Sequence, residues 1–460
     1  MWSLAFSALL GAGLATLPIG CNGSSISGMN VDPPGPDGTG DDGGTGGDGG
    51  GQSGYCAGSG PPIVVGDTGT GAARCSGQVA ASAFRYGLCI CQDLSASSAI
   101  TVDAFDSSAP AATTFGSGGS VGINNNINVS ATLSVGGTLQ SGGGSTGQVL
   151  SIGQDLLLAS GMNQSQVTVG RNAQINGDVI VANALKVTGS LTVPAGRTLN
   201  GNPVQAGSTV RAAVNVTAPC DCAGNQIFPI ASYVESRRSS NDNASIGLAT
   251  DRLNNFSGDQ TLTLPCGRFF LDRITGSGKV TIQVSGRTAL FIGGDVNLQD
   301  QFRVQVGGSG ELDLFINGGL TSSAPLNFGD STAPARVRLY MGGSRNISLA
   351  ANSMLYGNVY APESALVTSG ALTVYGAIFV RSFNPSSTVT IHHDVAVLKA
   401  SDACTPTGGG GGTPPTNSCT RCQDCGGQAC NAGTCGGCTQ DSDCCRPLSC
   451  DRGKCAYVIG

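Results

Sequence analysis

The stretch Val167–Leu199, VTVGRNAQINGDVIVANALKVTGSLTVPAGRTL, decides the fold. Apolar pairs recur in it every six residues: Val167/Val169, Ala173/Ile175, Val179/Val181, Leu185/Val187 and Leu191/Val193. Leu199 keeps the register, although Arg197 breaks the pair before it. In such x-V-x-V segments both apolar side chains point to one face of a strand. The Gly, Asn and Ser residues between the pairs are turn formers. Six residues per face and three faces per turn predict a right-handed parallel β-helix, or β-solenoid, of about 18 residues per turn, with turns stacked at roughly 4.8 Å. No single turn buries its own apolar face, so several must stack.

Toward the N-terminus the same spacing holds in Ile127/Val129, Leu133/Val135, Leu150/Ile152 and Leu156/Leu158. Residues 123–200 therefore supply about four turns at that repeat. Toward the C-terminus the pattern breaks over 201–260. There IFPIASYVESRR (227–238) reads as including a short helix and the polar run 239–244 as a loop. Strands return over 261–398, longer and richer in large apolar residues, as in VRLYMGGSRNISL and LTVYGAIFVRS, with Gly-Gly or Gly-Ser turns between them. This region is either a wider continuation of the solenoid or a β cap on it. The fold class is all-β, with one β-solenoid domain over 56–404.

Composition agrees. Of 460 residues, 73 are Gly and only 11% are charged, while 40% are hydrophobic. A mostly helical enzyme would carry more Glu, Lys, Arg and Leu. The net charge is −6, and five Asp in residues 22–55 (Asp32, Asp37, Asp41, Asp42, Asp48) leave the remainder near −1. No cluster of more than two Lys or Arg occurs, so a nucleic-acid partner is not expected. The two histidines, His392 and His393, are adjacent, which excludes a multi-histidine metal site. No cofactor is expected.

The cysteines point to export. There are 19. Cys21 stands alone after an apolar stretch. Cys56, Cys75, Cys89, Cys91, Cys220, Cys222, Cys266 and Cys404 form one even set. Cys419, Cys422, Cys425, Cys430, Cys435, Cys438, Cys444, Cys445, Cys450 and Cys455 form another. Two even sets suit disulfides, and a reducing cytosol would not keep them. Cys220-Asp-Cys222 is too short a loop to bridge itself without strain, so each cysteine pairs elsewhere, with Cys266 and the 56–91 group as candidates.

Residues 2–19, followed by Gly20-Cys21, look like a bacterial lipoprotein signal, which implies lipidation at Cys21 and a membrane as partner. Pro18 takes the place where that family usually has Leu, and the segment lacks a leading Lys or Arg. Asn22 after the cysteine points to the outer membrane or cell surface. Ten of the seventeen residues from Gly38 to Gly54 are Gly, so 22–55 reads as a flexible Gly/Asp-rich tether after the 1–21 signal.

Residues 405–418 are a Gly/Pro/Thr linker. The module at 419–460 repeats internally: Cys425, Cys430 and Cys435 recur as Cys445, Cys450 and Cys455. A segment this small needs its bridges to fold. The rival reading is a zinc site built from Cys419-x2-Cys422 and Cys435-x2-Cys438; export, surplus cysteines and the adjacent Cys444-Cys445 favour disulfides. CTQDSDCCRPLSCDRGKC (438–455) resembles the cysteine-rich module of Dickkopf-like and related knottin-like extracellular proteins, which implies a rigid recognition knob.

Four segments carry a wider resemblance: ITVDAFDSS (100–108), LPCGRFFLD (264–272), GNVYAPES (357–364), and YGAIFVRSF with IHHD (375–394). Through them the body resembles a family of secreted, often pilus- or surface-associated bacterial domains of unknown molecular function. The hexad region is also similar to bactofilin-type solenoids. Both resemblances imply a structural or surface role.

The serious rival is an enzyme, because β-helices host polysaccharide lyases and glycosidases. Such sites need paired carboxylates, or carboxylates with Lys or Arg, on one face. The candidates are Asp103, Asp106, Asp295, Asp313 and Glu363, with His392-His393-Asp394 as a weak functional cluster. Asp103 and Asp106 would not share a strand face, and Asp295 in its Gly-Gly-Asp turn suits a backbone hydrogen bond. Adjacent residues on a strand point oppositely, so only one His faces any site; the favoured reading gives these three side chains structural hydrogen bonds. No catalytic residue is assigned.

The expected function is a lipid-anchored, surface-exposed bacterial structural or adhesion-type protein, with a tether, a stiff solenoid and a disulfide-rich knob at its far end. Its expected partner is a cell-surface protein or polysaccharide, and self-association through exposed solenoid ends is a further expectation. The alternatives are an extracellular polysaccharide-binding or -cleaving β-helix, and a carrier of an inhibitor-like cysteine-rich module.

Overall fold

The computed structural model describes residues 83–109, 115–224, 226–308 and 310–403, with Ala80 and short stretches at 64–65, 74–75 and between 429 and 456. The signal with Cys21, the tether, Cys56, Cys404, the 405–418 linker, and Cys419, Cys422, Cys425, Cys444 and Cys445 lie outside the described residues.

Residues 88–211 and 254–394 form one 32-stranded parallel sheet wound into a β-solenoid of about 14 turns. The hexad reading holds strand by strand. Leu139, Leu156, Ala173 and Leu191 sit directly above one another, so each turn advances 17 or 18 residues. Every apolar pair quoted above is buried inside the stack. At one corner Gly136, Gly153 and Gly170 stack, and a Cβ on Gly153 or Gly170 would collide with the carbonyl of the glycine below. Other corners are tied by side chains that accept the next turn's N–H, as Asp93 does from Asn126 (2.8 Å) and Asp155 from Asn172 (2.9 Å).

Residues 254–394 are solenoid too, not a separate cap, and they are wider. Along the column Phe270, Phe291, Phe315, Tyr340 and Tyr360 each turn takes 20 to 25 residues. The interior of 88–193 holds only Ala, Val, Leu, Ile and Met among its apolar core, whereas Phe269, Phe302, Phe328 and Phe383 fill the wider half.

The order of the halves corrects the simplest expectation. The later half does not continue from residue 211. Its last strands stack on the first turn of the earlier half: Ile378–Phe383 pairs with Leu88–Ile90, and Val389–Asp394 with Ile100–Phe105. The stack thus runs 254 to 394 and then 88 to 211. Residues 212–253 must return along its whole side. The chain also enters and leaves the stack at neighbouring strands in its middle, so the tail does not leave from a far end.

This strap fits the distance it covers. From Arg211 to Cys220 nine residues of extended chain reach about 30 Å, and the six strand spacings from Arg211 to Cys89 amount to about 29 Å. Cys89–Cys220 and Cys91–Cys222 then bond strap to stack, with Cα–Cα distances of 6.0 and 5.6 Å. Asn124 holds Cys220 as a strand would, accepting from its N–H (2.8 Å) and donating to its carbonyl (2.9 Å). Farther on, the short helix Ile230–Ser236, within the stretch read as helical, buries Ile230, Tyr233 and Val234. Tyr233 meets Phe291 and Phe315 edge-on at 5.4 Å. Gly342 permits that approach, since a Cβ there would strike Ala231 N. The outward aromatic column of the wider half is thereby a second core.

The two disulfides close overlapping loops of equal length, which sets a test. Removing one pair (Cys89→Ala with Cys220→Ala, or Cys91→Ala with Cys222→Ala) leaves the long loop closed and forfeits a small-ring contribution of about 2 kcal/mol. Removing both opens the loop and forfeits about 5 kcal/mol more. Denaturant unfolding without reductant should show this non-additivity.

Candidate functional site

The sequence candidates converge on the turn where the two halves meet. His392 on strand Val389–Asp394 lies opposite Asp103 on Ile100–Phe105, and its Nδ1 is 2.6 Å from Asp103 Oδ1. Phe115 stacks on the imidazole at 4.0 Å, and Tyr375 and Tyr356 extend the column at 4.9 Å intervals. The Phe115–His392 and Tyr356–Tyr375 pairs are stacked and the Tyr375–His392 pair is tilted, while Phe115 is 44% exposed.

His393 points the other way, as strand alternation requires. It is buried, and its Nε2 lies 3.0 Å from the Phe84 carbonyl. A carbonyl only accepts, so Nε2 carries the proton. Burial depresses the imidazole pKa to about 4, against the partial opposition of that hydrogen bond. Asp394 is fully buried and accepts from Ser107 N–H (2.9 Å), Ser107 Oγ (2.6 Å), Ala335 N–H (3.0 Å) and Ala396 N–H (3.1 Å). The three adjacent residues therefore occupy three separate environments and form no shared site.

Of the remaining candidate carboxylates, Asp106, Asp295 and Asp313 each have a partner of their own. Asp106 pairs with Lys399 at 2.7 Å. Asp295 accepts from Gly319 N–H (2.9 Å), the backbone bond its turn suggested, and pairs with Arg345 at 3.0 Å. Glu363 is exposed. Asp313 is 1% exposed and grips Arg338 with both oxygens, at 2.6 and 3.1 Å. Arg338 reaches Glu311 as well (2.7 Å), and Glu311 meets Arg287 at 3.3 Å. Burial pushes the Glu311 carboxyl up, but Arg338 and Arg287 outweigh it and hold it below the usual range. Sequence reasoning missed this cluster. The signal was there: ELDLFI and VRLYM each carry charge at outward positions of otherwise apolar strands, and Asp313 and Arg338 are in register.

Of the other cysteines, Cys266 and Cys438 are disulfide-bonded. Cys75 ends the short strand Arg74–Cys75. Cys430 and Cys435 sit opposite each other in one hairpin, and Cys450 and Cys455 in a second, twenty residues on, matching the internal repeat. Among the described residues no group of three or more His, Cys, Asp or Glu could hold a metal. The disulfides point to an oxidising compartment. No helix among the described residues is long and apolar enough to cross a membrane.

The outer surface instead carries uncharged polar columns. Thr373, Thr390, Thr101, Ser134, Ser151 and Thr168 are in register across both halves. On another face Ser95, Asn128, Thr146 and Asn163 form a second column. Two open grooves of about 420 Å³ each adjoin there, sharing Asn128 and Thr146. Hydroxyls and amides at such spacing both donate and accept, which suits binding of a polar neutral surface better than proton transfer.

One comparison is informative. Residues 221–399 match a domain of unknown function, DUF7305. The DUF7305 match begins on the strap at Asp221, between the two strap cysteines, and ends at Lys399, just past the last strand of the wider half. It thus covers the strap from Asp221 onward and the strands of the wider half, and leaves the hexad half and residues 212–220 outside. No curated protein and no solved structure matches the chain.

The buried imidazole makes stability pH-dependent. His393 binds a proton in the unfolded chain below about pH 6.5 but in the folded chain only near pH 4. The unfolded state therefore binds more protons in that window, and stability falls as pH drops through it. The full effect is on the order of 3 kcal/mol at 1.36 kcal/mol per unit. Urea unfolding between pH 7 and 4 should show this slope, and His393→Asn should flatten it.

Proposed function

We propose that this chain is an exported, lipid-anchored structural protein of the bacterial cell surface, a stiff β-solenoid that displays a disulfide-rich module. The observation that carries the reading is the strap. A covalently fastened return segment along the stack makes a durable body and presupposes an oxidising compartment. Lipidation at Cys21 supplies the anchor, 22–55 the tether, and the Dickkopf-like resemblance of 438–455 gives the tail a recognition role. Right-handed winding is part of the proposal, because parallel crossovers take that hand in nearly all sheets. The function is contact rather than catalysis, since the titratable side chains of the junction turn are engaged in structural hydrogen bonds and ion pairs.

Intact mass of the protein from its native membrane, with and without reduction, tests this. The expected result is a start at Cys21, an acyl increment, and eighteen protons gained by the other cysteines. A start elsewhere, an unacylated chain, or free thiols carrying zinc overturns it.

A second reading, an extracellular polysaccharide-binding β-helix, is favoured by the uncharged Thr/Ser and Asn/Ser/Thr columns. Cosedimentation with insoluble neutral polysaccharides, weakened by Asn128→Lys with Thr146→Lys, is its expected signature.

A further inference from the structure

The two ends of the stack are finished differently. At the 254–271 end, strand Gly267–Leu271 has its outer backbone row occupied. Arg268 N–H donates to Asp242 Oδ2 (2.8 Å), and its carbonyl accepts from Asp242 N–H (2.6 Å). Phe270 N–H donates to Asn243 Oδ1 (2.8 Å), and its carbonyl accepts from Asn243 Nδ2 (2.7 Å). Two residues thus imitate the strand that would come next, and Leu248 packs on the core beside them.

The other end has no such closure. Strand Val204–Arg211 pairs with Leu185–Val193 on one side. Among the described residues nothing pairs with its other side. Val204 and Ala206 are half-buried and the other six residues are exposed. Leu199, Val204 and Ala206 form an apolar rim on the end of the core. Half of a strand's backbone N–H and C=O groups face each neighbour, so eight residues of open edge are a template for another strand. The usual protections are sparse. Arg211 is the strand's one charged residue, and it sits at the end.

We infer that Val204–Arg211 is the contact of a two-fold dimer, pairing antiparallel with the same strand of a second copy. The partner must bring a free strand edge. Continuing the parallel stack onto another copy would require all three strand edges of the first turn, and Asp242 and Asn243 occupy the Gly267–Leu271 one. The matching free edge is then the same strand of another molecule, and such an isologous contact closes on itself. Charge permits it. The strand turns a corner at Gly207, with 204–206 on one face and 208–211 on the next, and antiparallel pairing about that corner sets each Arg211 over the partner's Val204 and not over its Arg211. The assembly therefore stops at two copies and does not grow into a fibre. This inference does not depend on the anchoring and display reading.

The test is light scattering on the full chain over a wide concentration range, with detergent mass subtracted. A species of twice the chain mass is expected. Ala206→Lys, which sets two like charges at the contact, should weaken it at least tenfold without changing the circular dichroism spectrum. Hydrogen exchange on the unmodified chain gives an independent readout: amides of 204–211 should gain protection with concentration, while those of 267–271 should not. A monomer at all concentrations overturns the inference. So does a dimer indifferent to Ala206→Lys with 204–211 unprotected, and so does an open series of larger species.

Discussion

Each strand in this stack offers half of its backbone N–H and C=O groups to the turn above and half to the turn below, and both rows must be met. Inside a parallel solenoid that demand is satisfied by repetition alone, which is why side chains are free to be small and uncharged. Difficulties arise only where repetition stops. They explain Asp242 and Asn243 imitating a strand; along the side of the stack the strap has its own backbone to satisfy, and there Asn124 grips Cys220 and the strap turns an outward aromatic column into a second core.

The wider half needs the strap more than the hexad half does. Its outward column of Phe270, Phe291, Phe315, Tyr340 and Tyr360 would otherwise expose a continuous apolar ridge. In the hexad half the column continues through Gly122, Gln140, Leu157 and Gln174, with no aromatic residue, and there the strap runs as extended chain. Buried charge follows the same division. The Arg338–Asp313 pair lies on the covered face of the wider half, where its desolvation is offset by bidentate geometry and by Glu311.

Much of this was legible in the chain. A period of six with paired apolar residues fixes strands, faces and turn length, because only side chains directed inward along a solenoid repeat in that way. The cysteine partners were half legible. Cys89-Ile90-Cys91 and Cys220-Asp221-Cys222 each place two cysteines on one side of an extended segment, so the two segments can bridge in parallel. The match became unique only once the strap's path was known. The stacking order of the halves was not legible, because a free strand edge accepts a turn at either end of the stack. The choice rests on long-range fit at the junction, where Tyr375 and His392 meet Asp103, Phe105 and Phe115. The candidate site was legible as residue types but not as an arrangement: alternation separated His392 from His393, yet the buried Arg338 cluster needed two strands 25 residues apart to be seen in register.

The junction turn also has a mechanical meaning. Because the chain enters at Leu88 and leaves after Asp394, tension applied between those two points crosses one interface, between strands that lie side by side. There Ile378–Phe383 pairs with Leu88–Ile90 and Val389–Asp394 with Ile100–Phe105, and shear loads the ladder they form. If that ladder yields, the strand bearing Cys89 and Cys91 remains tied to the strap by two covalent bonds. The molecule then behaves less like a rod pulled from its tips than like a clasp with a safety catch, opening at the waist before either half unravels.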